Sequence, residues 1–133
     1  MLRLESRYID DMIAHARQEA PIECCGVLAG KEGRVLRLYR ATNAEHSPYR
    51  YNIDSYDLLR IYRECEENGW QFLGIYHSHT TSEAYPSPTD VHLAALWPEP
   101  LHFIVSLRDV HNPEVRAFHI RDGQVREEEI EIV

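Results

Sequence analysis

The stretch Phe72-Leu-Gly-Ile-Tyr76-His77-Ser78-His79, followed across a polar segment by Ser87-Pro88-Thr89-Asp90, decides how this chain is read. Phe72 to Tyr76 is a short apolar run of the kind that forms a buried strand. It leads directly into two histidines two residues apart. Side chains at i and i+2 of a strand share a face, so His77 and His79 can hold one ion together if the strand persists through them. Residues 80–87 are rich in Thr, Ser and Pro and read as a loop. Ser87-Pro88-Thr89-Asp90 has the form of a helix start, with a capping serine, a proline in the first turn and an acid three residues after the cap. Asp90 is therefore expected on a rigid element, one short loop away from the two imidazoles.

Working outward, Asp54 or Ser55 caps a helix whose apolar stripe is Leu58, Ile61, Tyr62 and Cys65, and Gly69 stands where a glycine ends it. Cys24 to Gly30 reads as a strand, Lys31-Glu-Gly33 as a turn, and Val35 to Tyr39 as the second arm of a hairpin. Residues 43–48 form a loop. Tyr49, Tyr51 and Ile53 alternate with polar residues, which predicts another strand. Nearer the start, Ser6 is placed to cap a helix running to about Ala20, with Ile9, Met12, Ile13 and Ala16 on its buried stripe and Pro21 marking its end. Downstream, Pro88 to Trp97 reads as a short helix and Leu101 to Leu107 as a strand, while Val115 to Ile120 and Val125 to the end complete the sheet. Mixed strands and helices with no repeat or linker predict one α/β (α+β) layered domain over residues 1–133.

Composition narrows the function. The 14 Lys+Arg against 22 Asp+Glu leave a net charge of −8, so no basic stripe awaits nucleic acid or an anionic membrane surface. No apolar window is long enough to span a bilayer, and the first residues lack the apolar core of a signal peptide, so a cytoplasmic protein is expected. The 3 cysteines include the neighbours Cys24 and Cys25 and suggest no disulfide framework; both are read as packing residues. The 8 histidines are many for 133 residues. His15 is off the apolar stripe and expected in solvent, His46 and His111 lie in loops, His92 on the short helix, and His102 and His119 in strands. Tyr8, Tyr39 and Trp97 read as core or surface.

Two imidazoles and one carboxylate form a three-ligand set with an open position, the count of a catalytic rather than a structural zinc. The run His77-Ser-His79, seven residues, Ser87, two residues, Asp90 resembles the signature of the JAMM (MPN-plus) metalloproteases, H-[S/T]-H-x7-S-x2-D. Pro21-Ile-Glu23-Cys-Cys-Gly26-Val-Leu-Ala-Gly30 resembles the same family's upstream E-x-C-G-x-L-x-G strand, with Cys24 unmatched. The resemblance implies an MPN fold, a mixed sheet flanked by helices around a cytidine-deaminase-like core. It implies one Zn²⁺ per chain held by His77, His79 and Asp90, Glu23 as the proton shuttle, and Ser87 as hydrogen-bond donor to the oxyanion. Ser78, pointing away from the ligands, is left a supporting role.

Within the family, the stretch from His77 to Asp90 and Thr42-Asn-Ala-Glu-His-Ser-Pro48 look most like the compact prokaryotic branch of CysO–cysteine peptidases. That likeness implies hydrolysis of the amide bond after the C-terminal Gly-Gly of a ubiquitin-like sulfur carrier, with release of cysteine. The tail is expected to lie extended between the loops 43–51 and 80–86. A non-catalytic MPN scaffold and a desampylase-like isopeptidase acting on protein conjugates are the alternatives. A nucleobase deaminase would need H-x-E and P-C-x-x-C, and neither occurs. The DNA-repair branch of the family carries Asn between its histidines, where this chain has Ser78.

Overall fold

The computed structural model describes residues 1–133, and its sheet is organised around the strand Gln71–His79. In chain order the elements are β1 (Leu2–Leu4), α1 (Ser6–Glu19), β2 (Cys25–Lys31), β3 (Arg34–Ala41), α2 (Ser55–Asn68), β4 (Gln71–His79), α3 (Pro88–Leu93), β5 (Leu101–Ser106), β6 (Glu114–Arg121), β7 (Gln124–Glu128) and β8 (Ile130–Ile132). A 3-10 turn, Ala94–Leu96, extends α3. The strands form one mixed sheet in the order β7-β6-β5-β4-β2-β3-β1-β8. β2 and β3 make the expected antiparallel hairpin. β4 and β5 are parallel, which requires a crossover connection, and the loop 80–87 with α3 supplies it. The result is the single-domain mixed sheet with flanking helices that the sequence predicted.

Only Glu129 separates β7 from β8, yet these strands stand at opposite ends of the strand order. The sheet therefore curls until its two edges meet at that corner. α1 fills the inside of the curl, where Tyr8, Met12 and Ala16 pack with Leu4, Val35, Tyr76, Phe103 and Val105. α2 covers the other face, where Ile61 and Cys65 pack with Cys25, Val27, Ala29 and Ile75. Alternation along β4 sends Tyr76 to α1 and sends Ile75, His77 and His79 to the opposite face. α3 lies on that second face too, beside Ile104, Phe118 and Ile120 of β5 and β6.

Several local expectations need correction. The N-cap of α1 is Glu5 rather than Ser6, and no side chain bonds the free amides there. The buried face of α1 is also rotated: Tyr8, Met12, His15 and Ala16 are buried, and Ile9 and Ile13 are only partly so. His15 is thus not in solvent; its Nδ1 meets the Tyr76 hydroxyl at 2.7 Å inside the core. Tyr49 to Ile53 form no strand, because the only ladder contact there is an isolated bridge between Asn43 and Ile53. Finally, β1 was not foreseen: three residues are too few to show a period, and β3 and β8 on either side hold it in place. α2 matches its prediction, with the Asp54 side chain accepting from the Asp57 amide and Gly69 left-handed at φ 69°.

Gly26 shows how tightly β2, β3 and β4 are packed. A Cβ at this position would collide with the Tyr76 ring and the Tyr39 carbonyl. Neither can retreat, since Tyr76 is fully buried and the carbonyl belongs to β3. Gly26→Ala is expected to cost at least ~1–3 kcal/mol, the usual price of overpacking, in urea unfolding at fixed pH. An unchanged midpoint would mean that the sheet yields here.

Candidate metal centre

β4 keeps strand geometry through its last residue, so His77 and His79 project from the same face at its carboxyl end. This is where the parallel crossover to β5 begins, and carboxyl ends of parallel strands are where α/β folds place their ligands. α3 brings the third group. The Ser87 hydroxyl accepts from the Asp90 amide at 3.1 Å, and Asp90 Oδ2 accepts from the Ser87 amide at 2.9 Å, completing the capping box. The same Oδ2 lies 2.9 Å from His79 Nε2 and 3.1 Å from His77 Nε2, and the two Nε2 atoms are 3.2 Å apart. All three side chains are buried.

Hydrogen bonds leave two buried polar atoms of this group, His77 Nδ1 and Asp90 Oδ1, without partners. His79 Nδ1 stands 2.7 Å from the Glu83 carbonyl, which only accepts, so Nδ1 carries the proton. The Nε2 of a neutral His79 is then a bare lone pair facing a carboxylate oxygen and a second imidazole nitrogen. Three donor atoms converging in this way form the ligand set of a cation, either a proton or a metal ion. Atoms spaced 2.9–3.2 Å apart share a point about 2 Å from each, the length of zinc–nitrogen and zinc–oxygen bonds. Two imidazoles and one carboxylate are borderline ligands suited to zinc, and they leave one position open. The residues fit the ion.

The electrostatics agree. Burial alone would raise the Asp90 carboxyl, but His77, the hydrogen bonds from both imidazoles and the Ser87 amide overcome it and hold it well below the usual carboxylate range. Burial likewise opposes charge on His79, yet its bonds to Asp90 and the Glu83 carbonyl leave it raised. A proton held by His79 in the metal-free site is one that an incoming ion must displace.

Glu23 lies just before β2 and is buried rather than solvated. Burial pushes its carboxyl up to about 8; His79 opposes the rise and Asp90 adds to it, so Glu23 is within electrostatic reach of both. Its Oε1 has no partner. Ser78 turns to the other side of the strand. Its hydroxyl accepts from the Cys24 amide at 2.8 Å, and its amide donates to the Cys24 carbonyl at 3.2 Å, tying the Glu23 segment to β4. The Ser87 hydroxyl spends a lone pair on the cap, which leaves its O–H free to donate.

Two features of the surroundings escaped the sequence reading. Tyr51 stacks on His77, with ring centroids 4.4 Å apart and planes 18° apart. Asn43 bonds the Glu23 carbonyl. Both belong to a segment with no regular structure; Tyr51 was read only as part of an alternation that suggested a strand, and Asn43 only as part of a loop within the stretch 42–48. The loop 80–86 is also more ordered than its composition implied: Ala84 is fully buried and Ser106 Oγ donates to the Ser82 carbonyl at 2.6 Å. The other histidines stay apart from the centre. His46, His92 and His111 are exposed, and buried His102 meets the Trp97 carbonyl at 3.0 Å. Cys24, Cys25 and Cys65 are free and buried; burial pushes the Cys24 thiol up to about 12 and the Cys25 thiol higher still.

Residues 5–121 match the family model of prokaryotic homologs of the JAB domain, and the chain belongs to that family. Over its full length it is 45% identical to the CysO-cysteine peptidase of Mycobacterium tuberculosis, covering 92% of that protein. It is 35% identical over 104 residues to the desampylase of Haloferax volcanii, covering 73% of this chain and 74% of that one. Among solved structures, a Desulfitobacterium hafniense protein determined in solution superposes with a TM-score of 0.90 at 36% identity, covering 100% of this chain and 93% of that one.

The raised Glu23 carboxyl gives a test in the metal-free protein. Between pH 4.5, its ordinary value, and about 8, the folded state holds a proton that the unfolded state has lost. The stability Glu23 contributes is thus complete below pH 4.5 and lost as pH rises toward 8. Glu23→Gln removes this dependence. The difference in melting temperature, wild type minus variant, is expected to fall steadily across that window. Parallel curves would place the proton elsewhere.

Proposed function

We propose that this enzyme is a zinc-dependent peptidase that hydrolyses the amide bond after the C-terminal Gly-Gly of a ubiquitin-like sulfur carrier protein and releases cysteine. The observation that carries the reading is the convergence of His77 Nε2, His79 Nε2 and Asp90 Oδ2 on one point, with the unpartnered Glu23 carboxyl in electrostatic reach. Full-length likeness to a CysO-cysteine peptidase supports the substrate class. Zinc held by His77, His79 and Asp90 supplies a bound water that ionises near neutral pH and a Lewis acid for the scissile carbonyl.

The chain's own groups do the rest. Glu23 Oε accepts the proton of the attacking water and returns it to the departing amine of cysteine. Its burial suits it to both duties, because a carboxyl whose pKa is raised toward the working pH takes up a proton more readily than a solvated one and still holds it when the amine departs. The Ser87 O–H donates to the oxygen that gains charge as the carbonyl becomes tetrahedral. Its cap to the Asp90 amide fixes where that hydroxyl sits. Tyr51 backs His77 and limits its rotation. The loops 43–51 and 80–86 flank the site, and a glycine tail between them brings its backbone close to the ligands without a side chain in the way. The free buried thiols and the acidic surface suit a cytoplasmic enzyme that works on a protein tail.

The desampylase relative supports a second reading, in which the bond cut is an isopeptide to a lysine. The two separate in one assay, with a sulfur carrier bearing either a C-terminal cysteine or a conjugated lysine side chain. The peptidase is expected to release cysteine at least about tenfold faster in kcat/KM than it releases lysine conjugate. The reverse preference makes it an isopeptidase, and cleavage of neither removes the substrate assignment.

Substitutions separate the roles. His77→Ala and Asp90→Ala are expected to lose bound zinc, measured by plasma mass spectrometry, together with turnover. Glu23→Gln keeps zinc and loses roughly 10²–10⁴-fold in kcat. Ser87→Ala loses about 10²–10³-fold in kcat with little change in KM, and a variant altered only in KM would remove Ser87 from the oxyanion.

A further inference from the structure

Asn43 is 5% exposed, lies between β3 and α2, and has every polar position of its side chain in use. Its Nδ2 donates to the carbonyls of Glu23 and Arg50, both at 3.0 Å. Its Oδ1 accepts from the amides of Glu45 at 3.0 Å and Asn52 at 3.1 Å. Two donors and two lone pairs are all a carboxamide has. The partners also fix its orientation, since a flipped amide would set oxygen against two carbonyls and nitrogen against two N–H groups.

These bonds join three separated stretches of chain: the approach to β2, the turn at 44–45, and residues 50–52. The backbone of Glu23 is held at both ends, because its amide donates to the Ser47 carbonyl at 3.0 Å while its carbonyl takes the Asn43 amide. Ala44 N bonds the Asn52 carbonyl at 2.8 Å and closes the loop. Residue 51 of that loop is the tyrosine stacked on His77. One buried carboxamide therefore links the segment carrying Glu23 to the segment carrying the ring behind a metal ligand.

We propose that Asn43 is a positioning residue that locks Glu23 and Tyr51 into one frame, so that the proton shuttle and His77 keep a fixed relation during turnover. This rests on the reading of Glu23 given above. No regular element does this work, since the stretch between β3 and α2 forms only one isolated bridge. A misplacement of about 1 Å costs on the order of 100-fold in a reaction that depends on alignment.

Asn43→Asp tests it with little change in size. The aspartate keeps both acceptors and replaces the two donors with lone pairs aimed at the Glu23 and Arg50 carbonyls. Asn43→Ala removes all four bonds, and the aspartate variant carries the test should the alanine variant fail to fold. In the zinc-loaded full chain, kcat on a sulfur carrier with a C-terminal cysteine is expected to fall about 10–100-fold, with KM within about threefold. Zinc content should stay at wild-type level. Amide exchange at Glu23 should quicken at least about tenfold, while Val27 and Ile75 in the sheet stay unchanged. Unaltered kcat despite faster exchange would leave Asn43 a merely structural residue and overturn the proposal, as would loss of zinc or exchange at Glu23 that stays slow. If the wild-type chain leaves the conjugate intact, the hydrolase reading fails separately. The exchange at Glu23 then decides whether Asn43 holds that segment.

Discussion

One carboxylate oxygen carries most of the site. Asp90 Oδ2 closes the capping box that starts α3 and also faces both imidazoles of β4. The helix start and the candidate metal centre are therefore not independent structures. The cap fixes the angle at which α3 leaves the loop, and that angle delivers the oxygen to the histidines. There it meets two imidazole nitrogens at about 3 Å in a buried place, where polar groups without partners are costly. Local helix chemistry thus sets the third donor atom of a group that could hold an ion.

Around this point the fold divides its labour by strand alternation. The two faces of β4 serve different ends: one packs Tyr76 against α1 inside the curl, and the other presents the ligands toward α2 and α3. Ser78, between the histidines, faces away and bonds the Cys24 backbone, so the residue separating the ligands anchors the neighbouring strand. Glu23 is reached from that anchor on one side and from Asn43 on the other. The arrangement suits a family whose reaction needs an ion and a proton carrier in fixed relation.

What could be read from the chain follows from how local the cause was. The HxH pair, the capped Asp90 and the helix 55–68 rest on contacts within a few residues, so their spacing reveals them. The β2–β3 hairpin announces itself with a turn. Failures occur where distant partners decide. His15 looked solvated because its stripe was drawn through Ile9 and Ile13, while Tyr76, 61 residues away, pulls it inward. β1 owes its existence to strands on either side that come much later in the chain. Asn43 carried no periodic signal and the alternation at Tyr51 pointed to a strand that does not form, since their partners are carbonyls, amides and one imidazole rather than a ladder or an apolar face. Among the site residues, Glu23 rested on family resemblance, and nothing in its own neighbourhood of sequence foretold its burial.

The three sequestered sulfhydryls have a practical corollary. An enzyme proposed to liberate cysteine works beside a nucleophilic product that scrambles with accessible thiols whenever the surroundings turn oxidising. Here each sulfur lies inside the packed interior, and the adjacent pair at the mouth of β2 is held in its unreactive protonated form. The catalyst is thereby insulated from mixed-disulfide formation with its own product. Reagents that alkylate or oxidise surface thiols should pass it by, and an inhibitor would have to engage the metal or the peptide cleft instead.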